Sequence, residues 1–271
     1  MLKQARILVY TLCALALTAP AFAADDGTDA ALTAALKGSW REPANAARDP
    51  YRHPRETLEF FGLRPDMTVV ELWPGGGWYT EVLAPVLRDH GQLIAASVPT
   101  QGSPESDVAR SYRQKLAADP AVYGKVKVVD FDPPKHLDLG KDGSADMVLT
   151  FRNAHNWEGE HQLLTVFQAA FKVLKHGGVL GLTDHRAAAG KTVEQTFKSG
   201  YMPADYIVKV AEQAGFKLAG QSEINANPKD TKDYPKGVWT LPPTYALGEE
   251  GKAKYAAIGE SDRMTLKFVK P

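Results

Sequence analysis

Met67-Thr68-Val69-Val70-Glu71-Leu72-Trp73-Pro74-Gly75-Gly76-Gly77-Trp78-Tyr79-Thr80 decides how this chain folds. An apolar run of strand length, 68–72, carries a carboxylate near its end, breaks at Pro74 into three glycines, and gives way to a helix-like segment from Tyr79. Strand, glycine turn and helix start in that order build a nucleotide-type ligand site at the carboxyl edge of a parallel sheet. Glycine carries no Cβ and tolerates positive φ, so the backbone there can approach a ligand closely. The nicotinamide fingerprint G-x-G-x-x-G is not met, because Thr80 stands where its third glycine belongs. That disfavours a dehydrogenase.

Working outward, apolar runs of strand length recur at 93–97, 126–131, 147–151 and 179–183. Helical periodicity fills the gaps at 79–88, 105–118 and 160–174, the last with Leu163, Leu164, Phe167, Ala170, Phe171 and Leu174 on one face. Lys175-His176-Gly177-Gly178 then reads as its stop, glycine after a basic last turn. Strands alternating with helices imply βαβ units, a mostly parallel sheet, and strand-end loops gathered on one edge. Beyond 184 the pattern gives a helix at 203–214, closed by Gly215, and strands at 216–224 and 263–269. The segment 225–262 between them is rich in Pro, Gly, Tyr and Trp and reads as a long insertion loop of the kind that forms lids or binding surfaces.

Lys3 and Arg6, an apolar stretch from Ile7 to Ala19 and then Ala21-Phe22-Ala23 read as a secretory signal peptide over 1–23. The apolar run is shorter than the roughly 20 residues of a membrane span, so no stable membrane anchor is expected after cleavage. Cys13 is the one cysteine of the 271 residues, and it falls within the signal. The mature chain is therefore expected to be periplasmic or secreted, held by its core without disulfides. Removing 1–23 takes the formal net charge from 0 to −2, a balance that gives no sign of a nucleic-acid partner. Residues 24–66 read as an N-terminal helical cap and 67–271 as one domain.

The order of elements over about 54–271 resembles the class I S-adenosylmethionine-dependent methyltransferases, and the chain as a whole is similar to a group of exported bacterial predicted methyltransferases. Glu71 through Gly77 stands at that family's acidic glycine turn. Asp132 matches its acid after the third strand, 146–153 resembles its fourth-strand motif, and Leu174-Lys175-His176-Gly177-Gly178-Val179-Leu180 resembles its signature before the fifth. The resemblance implies an α/β, Rossmann-like fold: a seven-stranded, mostly parallel sheet with an antiparallel last strand and helices on both faces. It also implies S-adenosylmethionine as cofactor and a small-molecule methyl acceptor. On it, Glu71, Trp73, Gly75, Gly77, Ser97, Asp132 and Arg152 are the cofactor-binding candidates. Two positions depart from the family: Trp73 replaces the first glycine of the turn, and Ser97 replaces the acid that grips the ribose at the end of the second strand. A serine supplies a hydrogen bond but no charge. The alternative is a degenerate methyltransferase fold that binds a small ligand without transferring a group.

His155 and His185 follow the fourth and fifth strands and are the catalytic candidates, since imidazole suits proton removal. Asn153 and Trp157 share the fourth-strand loop; Tyr51, Arg52 and His53 lie in an Arg- and aromatic-rich segment before the core; Tyr234 and Trp239 lie in the long insertion. These seven are the substrate-binding candidates. His155, Glu158, Glu160, His161, Asp184 and His185 lack an established metal-ligand spacing such as H-E-x-x-H, so no metal is expected. A serine hydrolase is disfavoured for want of a G-x-S-x-G elbow. Sequence does not identify the acceptor or the oligomeric state.

Overall fold

A computed structural model describes residues 27–102 and 105–271; the expected signal peptide lies outside them. Seven strands form one sheet: β1 Thr68–Leu72, β2 Gln92–Ser97, β3 Lys127–Asp130, β4 Ala145–Phe151, β5 Leu174–His185, β6 Lys217–Ser222 and β7 Arg263–Val269. Their order is β3-β2-β1-β4-β5-β7-β6. The pairs among β1 to β5 are parallel, and β7 runs antiparallel to both β5 and β6. The last strand is thus slotted inside the sheet, with β6 at the edge.

Period-two alternation sends β1 side chains to two cores. Val69 packs with Leu93, Met147 and Leu149 beneath Leu32, Leu58, Phe61 and Leu83. Val70 and Leu72 pack with Val148, Leu180 and Leu182 beneath Val166, Phe167, Ile207 and Val210. The covering helices on the first face are α1 Thr28–Leu36, α2 Pro54–Phe61 and α3 Thr80–Leu87. Those on the second are α4 Leu163–Val173 and α5 Ala204–Gln213. Both faces are therefore dry, as a parallel sheet requires. Truncating a fully buried Phe167 to Ala would cost about 3–5 kcal/mol.

Because the chain steps from β1 to β2 on one side and later returns to β4 on the other, the loops after β1 and β4 diverge and leave a crevice between them. Register holds the strand ends level: Leu72 stands opposite both Ala96 and Thr150, and Thr150 opposite Leu182.

Three local expectations give way. The 160–174 helix is confined to α4 and preceded by a separate helix, Ala154–Gly159. His161 at φ +55 divides them, and the Gln162 amide returns to the Trp157 carbonyl at 2.7 Å. The Lys175-His176-Gly177-Gly178 stretch is no helix stop; it bulges out of β5, whose pairing with β4 jumps from Ala145↔Leu174 to Met147↔Val179. The 225–262 segment carries a 3-10 turn, Gly237–Thr240, and a helix, Lys252–Ile258.

Candidate functional site

After β1, three residues of the turn take positive φ: Trp73 at +46, Gly75 at +57 and Gly77 at +83. A Cβ on Gly75 would meet nothing, so the backbone angle alone demands glycine there. At Gly77 crowding adds to the angle, since a Cβ would stand 3.0 Å from the Tyr112 ring. Beneath the turn, Glu71 is buried and accepts a 2.6 Å hydrogen bond from the Thr80 hydroxyl at the start of α3. Burial pushes its carboxyl up to about 7, against the opposing pull of Thr80.

Trp73, a bulky residue in a left-handed conformation, carries strain that the surroundings must hold. Its amide extends the β1–β2 ladder to the Ala96 carbonyl at 2.8 Å. Its indole N–H donates to the Phe131 carbonyl at 3.0 Å, and its ring lies 5.2 Å from that of Trp157. The indole therefore crosses the sheet edge from β1 to the end of β3. Ser97 ends β2 with its hydroxyl turned to the Val98 carbonyl at 3.3 Å.

At the end of β4, Arg152 also stands at positive φ, +65. Its Nε donates to His185 Nε2 at 3.3 Å, while His185 Nδ1 pairs with the Ser261 hydroxyl. An imidazole accepting at Nε2 is neutral with its proton on Nδ1. Burial and the neighbouring Arg152 hold its pKa well below the ordinary histidine value, in agreement. His155 lies beside it, ring centroids 5.2 Å apart. Asp184 fixes His155, pairing with Nδ1 at 2.9 Å and accepting from its backbone amide at 3.1 Å. A third bond, from the His185 amide at 2.7 Å, completes that carboxylate.

His155, Asp184 and His185 are the one group among the described residues whose ligand atoms could hold a metal ion, lying within 4.8 Å of one another. An ion there would have to displace Arg152 from His185 or Asp184 from His155, amid several guanidinium charges. The chemistry of the surroundings does not suit it.

The segment before the core closes the crevice. Glu260, just before β7, accepts from Arg48 at 2.6 Å, Arg52 at 3.1 Å and Arg263 at 2.8 Å. Burial alone would raise its pKa, but Arg52, Arg263 and Arg48 together hold it far below the carboxylate range. Burial draws Arg52 down to about 9, with Arg152 the next cause, and draws Arg152 down to about 10. Trp78 lies between Arg41 and Arg52, whose guanidinium carbons stand 5.4 and 4.6 Å from its ring.

Two cavities open on the turn and share Trp73, Pro74, Gly75 and Asn153. The first, of about 320 Å³, reaches Ser97, Val98, Val108 and Asn156 on the β2 side. The second, of about 380 Å³, lies over Glu71 between Arg48, Arg52, Arg152, Trp78 and Tyr79.

Of the cofactor candidates, Glu71, Trp73, Gly75, Ser97 and Arg152 line one or both cavities; Gly77 stands below the turn and Asp132 lines neither. The Asp132 amide is instead tied to the His136 carbonyl in a turn. Arg52 and Asn153 line the second cavity, and the Asn153 amide group holds the turn by donating to the Leu72 and Trp73 carbonyls at 3.1 and 3.2 Å. Trp157 is buried behind Trp73. His53, at φ +43, links two short helices beside Arg52. Tyr51 is exposed and supplies a backbone carbonyl to Arg263. Trp239 flanks His155 at 6.1 Å, whereas Tyr234 packs towards Tyr255. Neither His155 nor His185 lines either of these two cavities.

Residues not anticipated are Arg48, Glu260, Ser261, Asn45 and Tyr79. Arg48 and Glu260 are 212 positions apart, and no local pattern links them. The only signal was an excess of Arg over acid in the 41–55 stretch.

No family profile matches the chain, and no curated protein is similar to it in sequence. Its structure is similar to that of an S-adenosylmethionine-dependent methyltransferase from Aquifex aeolicus: TM-score 0.56 at 16% identity, covering 85% of this chain and 94% of that one. The glycopeptide N-methyltransferase MtfA complexed with S-adenosylhomocysteine gives 0.53 at 16%, with 82% and 90% covered. The [4+2]-cyclase SpnF gives 0.57 at 16%, with 91% and 93% covered. The shared property is the Rossmann-like methyltransferase fold, a scaffold that hosts more than one chemistry.

Proposed function

We propose that this chain is an S-adenosylmethionine-dependent methyltransferase acting on a small molecule. The observation that carries the reading is the paired cavity at the switch point: a glycine turn over a buried carboxyl, with one compartment on the β2 side and one on the arginine side. Fold neighbours crystallised with S-adenosylhomocysteine and with sinefungin support that cofactor class. The residues fit its methionine half: Glu71 is a partner for an amino group, and the space above Gly75 and Gly76 is clear.

Bound S-adenosylmethionine would supply a methyl group activated by its sulfonium, which bonds to the acceptor's lone pair while the C–S bond breaks and the thioether leaves. The protein's share is placement and the removal of one proton. Glu71 and the turn would hold the amino-acid end in the second cavity. Ser97, Val98 and Asn156 would receive the nucleoside in the first, past the Trp73 indole. The acceptor enters over Trp78, Tyr79 and Phe151, whose last two rings stack at 3.4 Å. Of the two histidines, His155 is the base candidate, because Asp184 holds its Nδ1 and leaves Nε2 as the acceptor nitrogen; it is set back from both cavities, so this role belongs to an acceptor that reaches past their walls. His185, with both ring nitrogens engaged, positions Arg152.

Calorimetric titration of the purified protein with S-adenosylmethionine and S-adenosylhomocysteine tests the reading. Submillimolar binding of both is expected; no heat at millimolar concentration overturns it. Mass spectrometry of the denatured protein would then show whether a different ligand is retained, as a binding protein without transferase activity requires. The reading includes export to the periplasm. A mature N-terminus at Ala24 in periplasmic extract is the expected result, and an intact Met1 the contrary one.

A further inference from the structure

Arg48, Arg52, Arg152 and Arg263 gather around one buried carboxylate, Glu260, and the first three of these arginines line the second cavity. Arg48, Arg52 and Glu260 are joined by direct contacts, as are Arg263 and Glu260. Arg152 is different: among the described residues it forms no ion pair with any carboxylate, and its one side-chain hydrogen bond spends Nε on a neutral imidazole. Its two terminal nitrogens are left to the cavity it lines. Arg48 Nη2 and Arg263 Nε are buried without a hydrogen-bond partner in the same cluster. A buried guanidinium donor without a partner is costly, and a cation held with its free donors towards a cavity is suited to an anionic ligand that completes them. The His185–Ser261 pair aims Arg152 from behind, and Arg52 is braced against Trp78, so the donors are preorganised.

We propose that this wall is a carboxylate site, in which Arg152, with Arg48 at its rim, receives a singly charged carboxylate of the ligand. Planar guanidinium forks suit a two-oxygen anion. A phosphate dianion suits the cavity less, because Glu71 and Glu42 line the same space. Two molecules can bring the carboxylate: the cofactor, through its methionine end, or the methyl acceptor. The first source rests on the function proposed above; the site itself rests on the guanidiniums alone.

The test compares wild type with Arg152→Gln, and with Arg48→Gln in case the first variant does not fold. Calorimetry is run with S-adenosylhomocysteine, with 5′-methylthioadenosine, which lacks the amino-acid end, and with succinate against its neutral diamide. If the cofactor supplies the carboxylate, S-adenosylhomocysteine binds at least tenfold more weakly to the variants while methylthioadenosine is unchanged. If the acceptor supplies it, S-adenosylhomocysteine binds all three proteins alike, and succinate, but not the diamide, binds wild type and is lost in the variants. The proposal is overturned if neither ligand distinguishes wild type from the variants, or if the diamide binds as well as succinate. Failure of S-adenosylhomocysteine to bind wild type would remove the methyltransferase reading and leave the succinate comparison to decide this one.

Discussion

Glu71 links the turn to pH. Its folded pKa of about 7 stands above its ordinary 4.5, so between those values the folded state holds a proton that the unfolded chain has released. Stability from this group is full below pH 4.5 and declines by about 3 kcal/mol as pH rises through 7. Urea melts of Glu71→Gln should lack that decline. An ammonium bound beside the carboxylate favours its charged form, so S-adenosylhomocysteine affinity should rise from pH 6 to 7 in wild type and stay flat in the variant. At Trp73 two effects oppose one another. Trp73→Gly relieves roughly 1 kcal/mol of left-handed strain but loses a half-buried indole, a net cost of about 1–2 kcal/mol in melts. The same change clears the β3 end, and methylthioadenosine should bind several-fold more tightly.

Between elements, two buried carboxylates fasten the arm that precedes the core. Glu81 on α3 takes Asn45 at 2.8 Å and Arg41 and Lys115 as ion partners, and Glu260 takes Arg48 and Arg52. Neutralising Glu260 strands the buried Arg52 and Arg263, so Glu260→Gln should cost about 3–5 kcal/mol in chemical denaturation, whereas Glu81→Gln should cost less, because Arg41 keeps Asp49 and Lys115 keeps Glu42. Because both act on one arm, the double variant should cost less than the sum. This fastening was not legible in the sequence, since its partners are distant and charged residues carry no periodicity that names a partner. Strand positions were legible where an apolar run is bounded by turn residues: the bounds of β1 and β7 match their runs. The start of β5 was not, because Gly177 and Gly178 mark a bulge as readily as a helix end. Within the site, Glu71, Trp73, Gly75 and Arg152 fall together because the register levels their strand ends. Asp132 lies outside both cavities, in a turn bridged to His136.

Across the whole molecule the buried groups set opposing pH limbs. Glu260, depressed in the fold, lends stability that is present above about pH 4.5 and lost on acidification. His185, also depressed, lends stability that is full above its ordinary 6.5 and lost as pH falls below it, because the unfolded chain then binds the proton. Glu71 works the other way, over 4.5 to 7. Glu260 therefore sets the rise in melting temperature out of acid, and between pH 4.5 and 6.5 the gain from His185 opposes the loss from Glu71. His185→Gln is expected to leave a steeper net decline with rising pH in that window and Glu71→Gln a net rise, both read by calorimetric scans.

The indoles around the crevice also make the protein its own optical instrument. Trp73 borders both cavities, whereas Trp78 borders the arginine side alone, between two cations. A nucleoside entering beside Ser97 perturbs the emission of the first ring, and a ligand seated near Arg52 perturbs both. Single Trp→Phe replacements at 73 and 78 would separate the two signals, so occupancy of each compartment can be followed before any acceptor is known.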